Sequence, residues 1–385
     1  MKSTLPSDLH QLLGGLSPQQ FMRGWWHKKP LLIRNAIPGF KPLITKAQLF
    51  ALAKQDEVES RLVSHHQRVW QLDHGPFQAR DLQRANGEKW TLLVQGVNLH
   101  ADAADTLLRR FCFVPWSRID DLMVSYAVDG GGVGPHFDSY DVFLLQAQGK
   151  RRWRISEQHD RTLLEGAPLK ILKRFTPTAE HLLEPGDMLY LPPGWAHDGV
   201  AVGECMTYSI GFRAPSAQEL ASGLLEHAAE NLVRQGVYAD PQLAPAASPA
   251  MLSDAYVNQA ARLIGNVKPT RAMLEDFLGC KLTEPNSNVF FEPPQAPLGA
   301  AQFAREIRRR GLALDRRTQM LYRGRALFIN GERADAKASA VLQRLANARC
   351  QPPAMRLSAG DAKLLYIWYT YGWLHPGERH AWKKN

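Results

Sequence analysis

The sequence predicts an α+β protein built around a β-barrel, and three observations support this. From Trp90 to Phe212, short runs of β-branched and aromatic residues alternate with turn signals such as DGGGVGP, EPGD and PPGW, a pattern typical of a barrel or double sheet. After Ala214 the apolar residues take helical spacing. Beyond a proline-rich stretch the chain becomes basic. We therefore expect three parts, at residues 1–215, 216–290 and 291–385.

Two helices and one strand are expected ahead of the barrel. Pro18–Gly24 and Lys46–Lys54 have helical patterns, and GWWHKKPLLIRNAI predicts a strand that directly follows a helix. The barrel strands are expected at WTLLVQGVNL, DLMVSYAV, YDVFLLQ, RRWRIS, DMLYLPP and MTYSIGF. We expect QGK to be a turn between YDVFLLQ and RRWRIS.

The region after the barrel reads as an amphipathic helical insert. Its first helix carries apolar residues at Leu220, Leu224, Leu225, Ala228 and Leu232. Further helices are expected at 251–264 and 273–278, with the loop DPQLAPAASP before them. Such an insert either packs on its own barrel or forms a subunit interface, and the pattern does not choose between them.

FEPPQAP, residues 291–297, is the clearest linker, since its Pro293-Pro294 pair cannot continue a helix or a central strand. A small domain should follow. Its predicted order is a helix at 301–310, the strand pair MLYRGRALFING, and helices at 339–349 and 359–372. That order is compatible with a winged-helix-like domain.

The charge is concentrated in the last third of the chain. Of the net +10, residues 281–385 hold 18 Lys and Arg against 8 Asp and Glu, so the rest balances at 29 against 29. Six arginines fall between residues 305 and 317. A contact with nucleic acid or another acidic partner would therefore belong to this domain. A solvated basic face is the alternative.

Cysteine usage and hydropathy indicate a cytoplasmic protein. The four cysteines have no paired spacing, which argues against a disulfide framework and against a zinc knuckle. No apolar run is long enough to cross a membrane, and the first residues lack the apolar core of a signal peptide.

Three residues form a candidate metal site. His136 and Asp138 in GPHFDSYDVF are two residues apart, so on a strand their side chains stand on one face. His197 follows the rigid corner LPPGW and is the best third ligand. Two histidines and one carboxylate that leave coordination positions open are the facial triad of non-haem Fe(II) oxygenases. A lone His-x-Asp would be weak evidence.

Arg151 strengthens this interpretation. In RRWRI, strand alternation places Arg151 on the same face as Trp153 and Ile155, which should be the barrel interior. A buried guanidinium needs an anion, and its planar fork matches a carboxylate. A ligand carboxylate is the simplest partner, and a structural ion pair is the alternative.

These residues resemble the Jumonji-C branch of the 2-oxoglutarate and Fe(II)-dependent oxygenases. HFD, the basic residue after QG and LPPGWAH carry the likeness, and the fuller runs DDLMVSYAVDGGGVGPHFDSYDVFLLQAQGKRRWRI and PGDMLYLPPGWAHDG resemble its bacterial ribosomal oxygenases. The resemblance spans nearly the whole chain. It implies a double-stranded β-helix (cupin) barrel, a helical dimerisation region that makes a homodimer, and a C-terminal winged helix.

The resemblance also implies an activity and a set of roles. His136, Asp138 and His197 would bind Fe(II), Arg151 would bind 2-oxoglutarate, and O₂ would be the oxidant of this dioxygenase. Many Jumonji-C enzymes have lysine at the place of Arg151. The implied reaction is hydroxylation of an arginine of a large-subunit ribosomal protein, with release of succinate and CO₂.

The sequence points less clearly to the residues that would contact the cosubstrate and the substrate. Ser125 and Thr207 are candidate cosubstrate contacts, Ser209 shares the face of Thr207, and Tyr140 follows the metal residues in phase. An arginine substrate calls for a carboxylate near the barrel mouth, and the candidates are Asp120, Asp121, Asp129, Asp141 and Asp198.

Three alternatives stay open from sequence. The barrel could be a metal cupin that does not use 2-oxoglutarate, in which case Arg151 has no function. It could be a non-catalytic scaffold for a ribosome- or RNA-binding basic domain. The same enzyme class could also act on a ribosomal histidine or on a methylated lysine.

Overall fold

The computed structural model describes residues 9–67, 69–82, 89–233, 235–239, 252, 254–265 and 268–377. The predicted loop DPQLAPAASP and the predicted helix start at Met251 lie outside these residues.

Ten α-helices lie in the described ranges. They are α1 (Leu9–Leu12), α2 (Pro18–Gly24), α3 (Lys46–Leu52), α4 (Asp102–Arg109), α5 (Ala217–Glu230), α6 (Asp254–Ile264), α7 (Arg271–Lys281), α8 (Ala300–Arg310), α9 (Ala340–Ala348) and α10 (Ala359–Thr370). Several begin at the polar caps their sequences offer. Ser216 and Glu219, for example, form a reciprocal capping box at α5.

The described strands fall into a barrel set and a C-terminal set. The barrel set is β1 (Leu31–Ile33), β2 (Ser60–His66), β3 (Val69–His74), β4 (Lys89–Val94), β5 (Ile119–Ala127), β6 (His136–Phe137), β7 (Val142–Ser156), β8 (Ala179–Leu183), β9 (Met188–Leu191) and β10 (Ala196–Phe212). The C-terminal set is β11 (Leu312–Leu314), β12 (Met320–Arg323), β13 (Ala326–Ile329), β14 (Glu332–Arg333), β15 (Cys350–Gln351) and β16 (Leu374–Pro376).

The ten barrel strands form one antiparallel system with the order β1-β9-β7-β10-β5-β4-β2-β3; β6 also pairs with β10, and β8 with β7. Because β7 and β10 pair along most of their length, they join the two halves of the barrel. The predicted α+β class with a cupin barrel is confirmed.

The strand pattern differs from the prediction at QGK. The sequence predicts a turn there, but YDVFLLQ and RRWRIS lie on the single strand β7. Gly149 adopts a φ of +62°, which favours glycine. A Cβ atom at this position would lie 2.1 Å from the carbonyl oxygen of Glu204, so no larger residue fits. The register of β10 shifts between Val202 and Met206 opposite this point. The glycine therefore bends the strand without ending it.

Alternate residues of the barrel strands face two different cores. One face of β7 and β10 carries Phe143, Leu145, Met206 and Tyr208, which pack against the N-terminal helices. The opposite face forms a smaller cluster inside the barrel, with Val142, Leu144, Trp153, Ile155, Leu183, Leu189 and Leu191. The interior is thus lined by apolar walls that leave room for a few polar side chains.

The C-terminal part has its own core around Phe303, Ile307, Leu342 and Trp368. Two three-stranded sheets flank it, in the orders β15-β11-β16 and β12-β13-β14. Helix α7 packs on β13, where a Cβ at Gly279 would lie 2.4 Å from the Phe328 ring. The predicted winged-helix-like domain is confirmed.

Polar contacts join the C-terminal part to the barrel. Arg316 pairs with Asp102 at 3.1 Å, and the indole of Trp116 donates to the carbonyl oxygen of Asn347 at 3.2 Å. The side chain of Asn288, in the chain between α7 and α8, donates to the carbonyl oxygen of Glu57. Among the residues described, no helix has the length and apolar character needed to cross a membrane.

Candidate active site

Strand pairing brings the two candidate histidine ligands together. His136 lies on β6 directly opposite His197 on β10. Residues that oppose each other in an antiparallel pair project on the same face. Their imidazole rings have centroids 4.2 Å apart. Two residues separated by sixty positions in sequence therefore become neighbours.

The histidine tautomers are set by the backbone. The Nδ1 of His136 lies 2.9 Å from the carbonyl oxygen of Gly134, and the Nδ1 of His197 lies 3.0 Å from that of Trp195. An Nδ1–H that donates to a carbonyl leaves the Nε2 lone pair free. Both Nε2 atoms are thereby prepared for a metal, an arrangement common in metal sites.

Asp138 completes the group. Its carboxylate oxygens lie 3.9 Å from the Nε2 of His136 and 3.5 Å from the Nε2 of His197. One ligand atom from each of the three residues lies within 4.8 Å of the others. The N–H of Gly194 in the PPGW corner donates to the carbonyl oxygen of Asp138 at 2.9 Å, which ties the two sequence motifs together.

The environment of His197 favours metal binding. Burial, and then the neighbouring His136, lowers the pKa of His197 to about 4. The imidazole is therefore neutral at physiological pH, which is the form that ligates a metal.

Arg151 lies inside the barrel and has no anionic partner within the described ranges. It is 5 % exposed, and its Nε and Nη2 atoms are buried with no hydrogen bond in the described part of the protein. The guanidinium lies 5.8 Å from the Trp153 ring centroid. Its strand neighbours Arg152 and Arg154 instead pair with Glu180 and Asp198. Because an unpaired buried charge is costly, the site calls for an external carboxylate.

Two further buried polar atoms lie on the same side of the sheet. The hydroxyl of Thr91 and the indole Nε1 of Trp153 have no hydrogen-bond partner among the described residues. Thr91 opposes Ala127 on β5, and Ala127 clusters with Ala201, which opposes Arg151. The sequence offered no signal for Thr91, since threonine is common in strands.

Ser125 and Thr207 are buried and oppose each other on β5 and β10. The Thr207 hydroxyl donates to the Gln146 side chain at 2.9 Å, and the Ser125 hydroxyl lies 3.4 Å from the carbonyl oxygen of Thr207. Gln146 was not predicted from sequence. The cosubstrate contacts expected for Ser125 and Thr207 stay predictions.

A glycine beside the metal residues makes room for an aromatic wall. Gly199 lies two residues after His197 and opposite Trp153 on β7. A Cβ at Gly199 would stand 2.5 Å from the Trp153 ring. The indole consequently packs close to the backbone of β10 at Gly199, and its centroid lies 5.9 Å from that of the His197 ring and 5.8 Å from the Arg151 guanidinium.

Tyr140 lies within electrostatic range of Asp138 in the metal group and of Asp121, so we take Tyr140 and Asp121 to mark the entrance to the site, here called the mouth. Tyr140 is 39 % exposed, and its pKa is raised by partial burial and then by Asp138 and Asp121. Asp121 accepts the N–H of Gly96 at 2.8 Å through one oxygen. Burial and then Asp120 raise the pKa of Asp121 to about 7. A cation entering the mouth would stabilise the ionised carboxylate.

The other candidate carboxylates are engaged elsewhere. Asp120 pairs with Arg213, Asp198 pairs with Arg154, and Asp129 accepts the N–H of Gly203. Asp141 is fully buried and accepts the Tyr190 hydroxyl at 2.5 Å, and its second oxygen lies 2.8 Å from His27. Asp121 is therefore the best candidate to meet a substrate side chain.

The residues present fit both Fe(II) and 2-oxoglutarate. Two imidazole nitrogens and one carboxylate oxygen converge from one side, as in a facial triad with open positions. The unpaired nitrogens of Arg151 match the carboxylate at the far end of a dicarboxylic acid.

Comparison with known proteins agrees with this site. Residues 106–220 match the JmjC domain, and residues 262–375 match the ROXA-like winged helix. The ribosomal protein uL16 3-hydroxylase of Escherichia coli strain K12 is 34 % identical over 332 residues, which cover 85 % of this chain and 88 % of that protein. The chain belongs to the JmjC ribosomal oxygenase family.

Solved ribosomal oxygenases share the whole architecture. An X-ray structure of YcfD from E. coli superposes with a TM-score of 0.81 at 31 % identity, covering 94 % of this chain and 98 % of YcfD. A structure of YcfD with cobalt and 2-oxoglutarate superposes with a TM-score of 0.76 at the same identity and coverage. The enzyme class and the cofactors predicted from the sequence are confirmed by these relatives.

Proposed function

We propose that the protein hydroxylates an arginine side chain of the large-subunit ribosomal protein uL16. The observation that carries this proposal is the His136–Asp138–His197 group, together with a buried Arg151 that has no anionic partner among the described residues. The name of the E. coli relative supports the choice of substrate. A ribosomal substrate also favours a cytoplasmic enzyme.

Each site residue has a distinct part in this proposal. His136, Asp138 and His197 would hold Fe(II), and Arg151 would hold the distal carboxylate of 2-oxoglutarate. Fe(II) with 2-oxoglutarate and O₂ supplies the oxidising power, with release of succinate and CO₂. The apolar wall around Trp153 and Leu189 excludes water, and Ser125 and Thr207 orient the cosubstrate.

Asp121 and Tyr140 would hold the substrate guanidinium. A carboxylate binds guanidinium through charge-assisted hydrogen bonds, and a tyrosine ring offers it a flat surface. A neutral histidine side chain of a substrate would be bound less strongly by the negative charge of Asp121. The mouth therefore favours arginine over the histidine alternative, and a basic peptide over a purely scaffolding role for the barrel.

Replacing Asp121 by Asn is expected to lower kcat/KM for an arginine peptide about ten- to hundredfold at pH 8, the value of a hydrogen bond to a charged group. In the wild type, kcat/KM should rise through about pH 7 as Asp121 ionises, because burial, and then Asp120 and Glu59 against the opposing Gly96 N–H and Arg61, raises the pKa of Asp121 to about 7. In the variant that rise should be absent. A pH series of peptide turnover checks both.

Stability provides an independent readout for the same variant. Because the folded-state pKa of Asp121 is raised, the wild type loses stability as pH rises from about 4 through about 7. Asp121→Asn should therefore raise Tm at pH 8 more than at pH 5. Asp129→Asn is the matched control, since Asp129 is an exposed loop carboxylate. An unchanged pH profile in Asp121→Asn would contradict the assignment.

We also propose that the helical region forms a homodimer interface. Helix α6 has no buried residue among those described, and its apolar residues Val257 and Ile264 are 47 % and 58 % exposed. Leu225 on α5 is 61 % exposed. A short helix in water is marginally stable unless its apolar face is packed. We therefore infer that these apolar residues pack against a second copy of the chain.

Val257→Glu combined with Ile264→Glu should convert the protein to a monomer at micromolar concentration, because two charges would be buried against apolar surface. Sedimentation velocity would measure this. Asn258→Glu, on the same helix and also exposed, should leave the mass unchanged. A monodisperse wild-type monomer would rule out the interface.

Contact with ribosomal RNA is proposed for α8. Arg305 and Arg308 are exposed, lie on one helix face, and have no ion pair within the described ranges. Arg309 instead pairs with Glu306, and Arg316 and Arg317 pair with Asp102 and Glu292. The available basic surface is thus smaller than the six arginines in the sequence suggest.

Arg305→Gln with Arg308→Gln should weaken binding to a fragment of large-subunit ribosomal RNA and reduce its salt slope by about one to two. Filter binding between low and moderate salt measures both. Arg323→Gln is the control, because Arg323 pairs with Glu275 at 2.8 Å. If the wild type, the double variant and Arg323→Gln all show the same salt dependence of RNA affinity, any RNA contact lies elsewhere.

A further inference from the structure

The indole of Trp153 carries a buried hydrogen-bond donor that no described residue accepts. Trp153 is 5 % exposed, and its Nε1 atom is buried with no hydrogen-bond partner in the part of the chain that the structure describes. Buried indole N–H groups usually have a partner, because an unpaired buried donor lowers the stability of the folded protein. This N–H is therefore a candidate ligand contact.

Trp153 lies beside both parts of the candidate active site. The centroid of its ring is 5.9 Å from that of the His197 imidazole and 5.8 Å from the guanidinium of Arg151. Arg151 and Trp153 are two residues apart on β7, so their side chains stand next to each other on the inner face. A ligand that reaches from the metal group to Arg151 would therefore pass close to the indole.

The benzo edge of the indole, and not its N–H edge, faces β10. A Cβ at Gly199 would lie nearest to the Cζ3, Cη2 and Cε3 atoms of Trp153, at 2.5, 2.6 and 2.8 Å. These three atoms form the edge of the indole opposite Nε1. Because Gly199 has no side chain, this apolar edge can approach the backbone, and the N–H lies on the edge that is turned away from Gly199.

The described apolar side chains that pack around Trp153 offer no acceptor for its N–H. Trp153 belongs to the cluster inside the barrel that includes Ile155, Leu183 and Leu189, whose side chains are hydrocarbon. Arg151, the charged residue beside the indole, has only donors. A ligand must therefore supply the acceptor.

One carboxylate can satisfy both residues. The nitrogens of Arg151 that have no hydrogen-bond partner among the described residues are Nε and Nη2, which lie on one edge of the guanidinium and match the two oxygens of a carboxylate. A carboxylate has about four lone-pair sites, so about two remain after the guanidinium has bound. One of these sites can accept the N–H of Trp153.

We propose that the Nε1–H of Trp153 donates a hydrogen bond to the distal carboxylate of 2-oxoglutarate, the same carboxylate that Arg151 binds. This inference rests on the proposed function, in which Arg151 holds that group. It makes Trp153 a cosubstrate-binding residue and not only a part of the apolar wall. Two residues that donate to one carboxylate also select 2-oxo acids with a second carboxylate over those without one.

The first test removes the N–H and keeps an aromatic ring. Trp153→Phe should weaken 2-oxoglutarate binding to the full-length, Mn(II)-loaded protein about ten- to hundredfold, the value of a hydrogen bond to a charged group, as measured by isothermal titration calorimetry. Replacement of Trp153 by 3-benzothienylalanine, which has sulfur in place of the N–H, should give a similar loss with little change of shape. Trp90→Phe should keep wild-type affinity and is the matched control, because Trp90 is buried in the other core, against the N-terminal helices.

A change in the ligand tests which of its groups the indole contacts. 2-Oxopentanoate has a methyl group where 2-oxoglutarate has the distal carboxylate. The wild type and the benzothienylalanine protein should bind 2-oxopentanoate with equal affinity, since a cycle of protein and ligand changes isolates a direct pair. An equal loss of affinity for both ligands would overturn the assignment to the distal carboxylate.

The N–H can also be observed directly by NMR spectroscopy. In the Zn(II)-loaded protein, the indole ¹H–¹⁵N signal of Trp153 is the one that Trp153→Phe lacks. Saturation with 2-oxoglutarate should move its proton resonance downfield, because a hydrogen bond to a carboxylate is short and charge-assisted. 2-Oxopentanoate should move this resonance much less. A signal that 2-oxoglutarate leaves in place would contradict the contact.

The outcomes separate this inference from the function on which it rests. If Arg151→Met loses affinity for 2-oxoglutarate but both Trp153 replacements keep it, the indole contact is wrong and the proposed function stands. If the metal-loaded wild type does not bind 2-oxoglutarate, both are overturned. A loss of affinity in both Trp153 replacements that is confined to 2-oxoglutarate supports the contact.

Discussion

Arg151→Met should lower the affinity for 2-oxoglutarate by two to three orders of magnitude and leave metal binding intact. The carboxylate of the cosubstrate would be buried opposite a thioether, and removal of one partner from a buried ion pair costs about 3–5 kcal/mol. Titration of 2-oxoglutarate into the Mn(II)-loaded protein measures the affinity, and Mn(II) binding is followed separately.

The same substitution should stabilise the protein when no cosubstrate is present. In the wild type, Nε and Nη2 of Arg151 are buried and have no hydrogen-bond partner in the part of the chain that the structure describes, so the guanidinium destabilises the fold until an anion binds. Methionine removes that cost, and Tm should rise. Arg152→Met is the control, because Arg152 lies on the outer face of the same strand and pairs with Glu180. Equal 2-oxoglutarate affinity in Arg151→Met and wild type would favour a metal cupin that does not use 2-oxoglutarate.

Asp138→Asn should abolish turnover and weaken metal binding by at least about a hundredfold, more than the loss of a supporting hydrogen bond to a metal ligand. The substitution keeps the side-chain shape but removes the negative charge that lies between the two histidines. Equilibrium dialysis with Fe(II) under anaerobic conditions measures affinity, and succinate formation measures turnover.

Asp129→Asn is the comparison for this experiment. Asp129 is an exposed carboxylate that accepts the N–H of Gly203, and an amide oxygen can accept the same bond. The Asp129→Asn variant should retain wild-type metal affinity. Retention of full turnover in Asp138→Asn would remove Asp138 from the metal site and leave the two histidines without a carboxylate partner.

The metal group could be predicted from sequence because its signals are local. The His136–Asp138 spacing places both side chains on one strand face, and the PPGW corner marks a fixed position for His197. What the sequence did not show is the register that sets His197 opposite His136 on β6. That pairing joins segments sixty residues apart and depends on the closure of the barrel.

The interior face of β7 was also predictable, but its continuity was not. Alternation in RRWRI places Arg151 with Trp153 and Ile155, as observed in their burial. The QGK stretch reads as a turn because glycine and polar residues usually end strands. Here Gly149 bends the strand instead, since pairing with β10 resumes on both sides. Hydrogen bonding between β7 and β10 therefore outweighs the turn preference of the QGK residues.

The buried polar residues around the metal group could not be predicted from the sequence. Thr91 and Gln146 come from strands whose composition is ordinary, and only the strand pairing sets Thr91 opposite Ala127 and Gln146 beside Thr207. Neither position has a local pattern that could have revealed it.

The most direct test of the central claim is anaerobic reconstitution with Fe(II) and 2-oxoglutarate, followed by admission of air with a uL16 segment. Succinate and peptide mass are followed together. We expect succinate to form in step with a segment that is heavier by one oxygen atom at the arginine. A folded, iron-loaded protein that forms neither succinate nor modified peptide would contradict it.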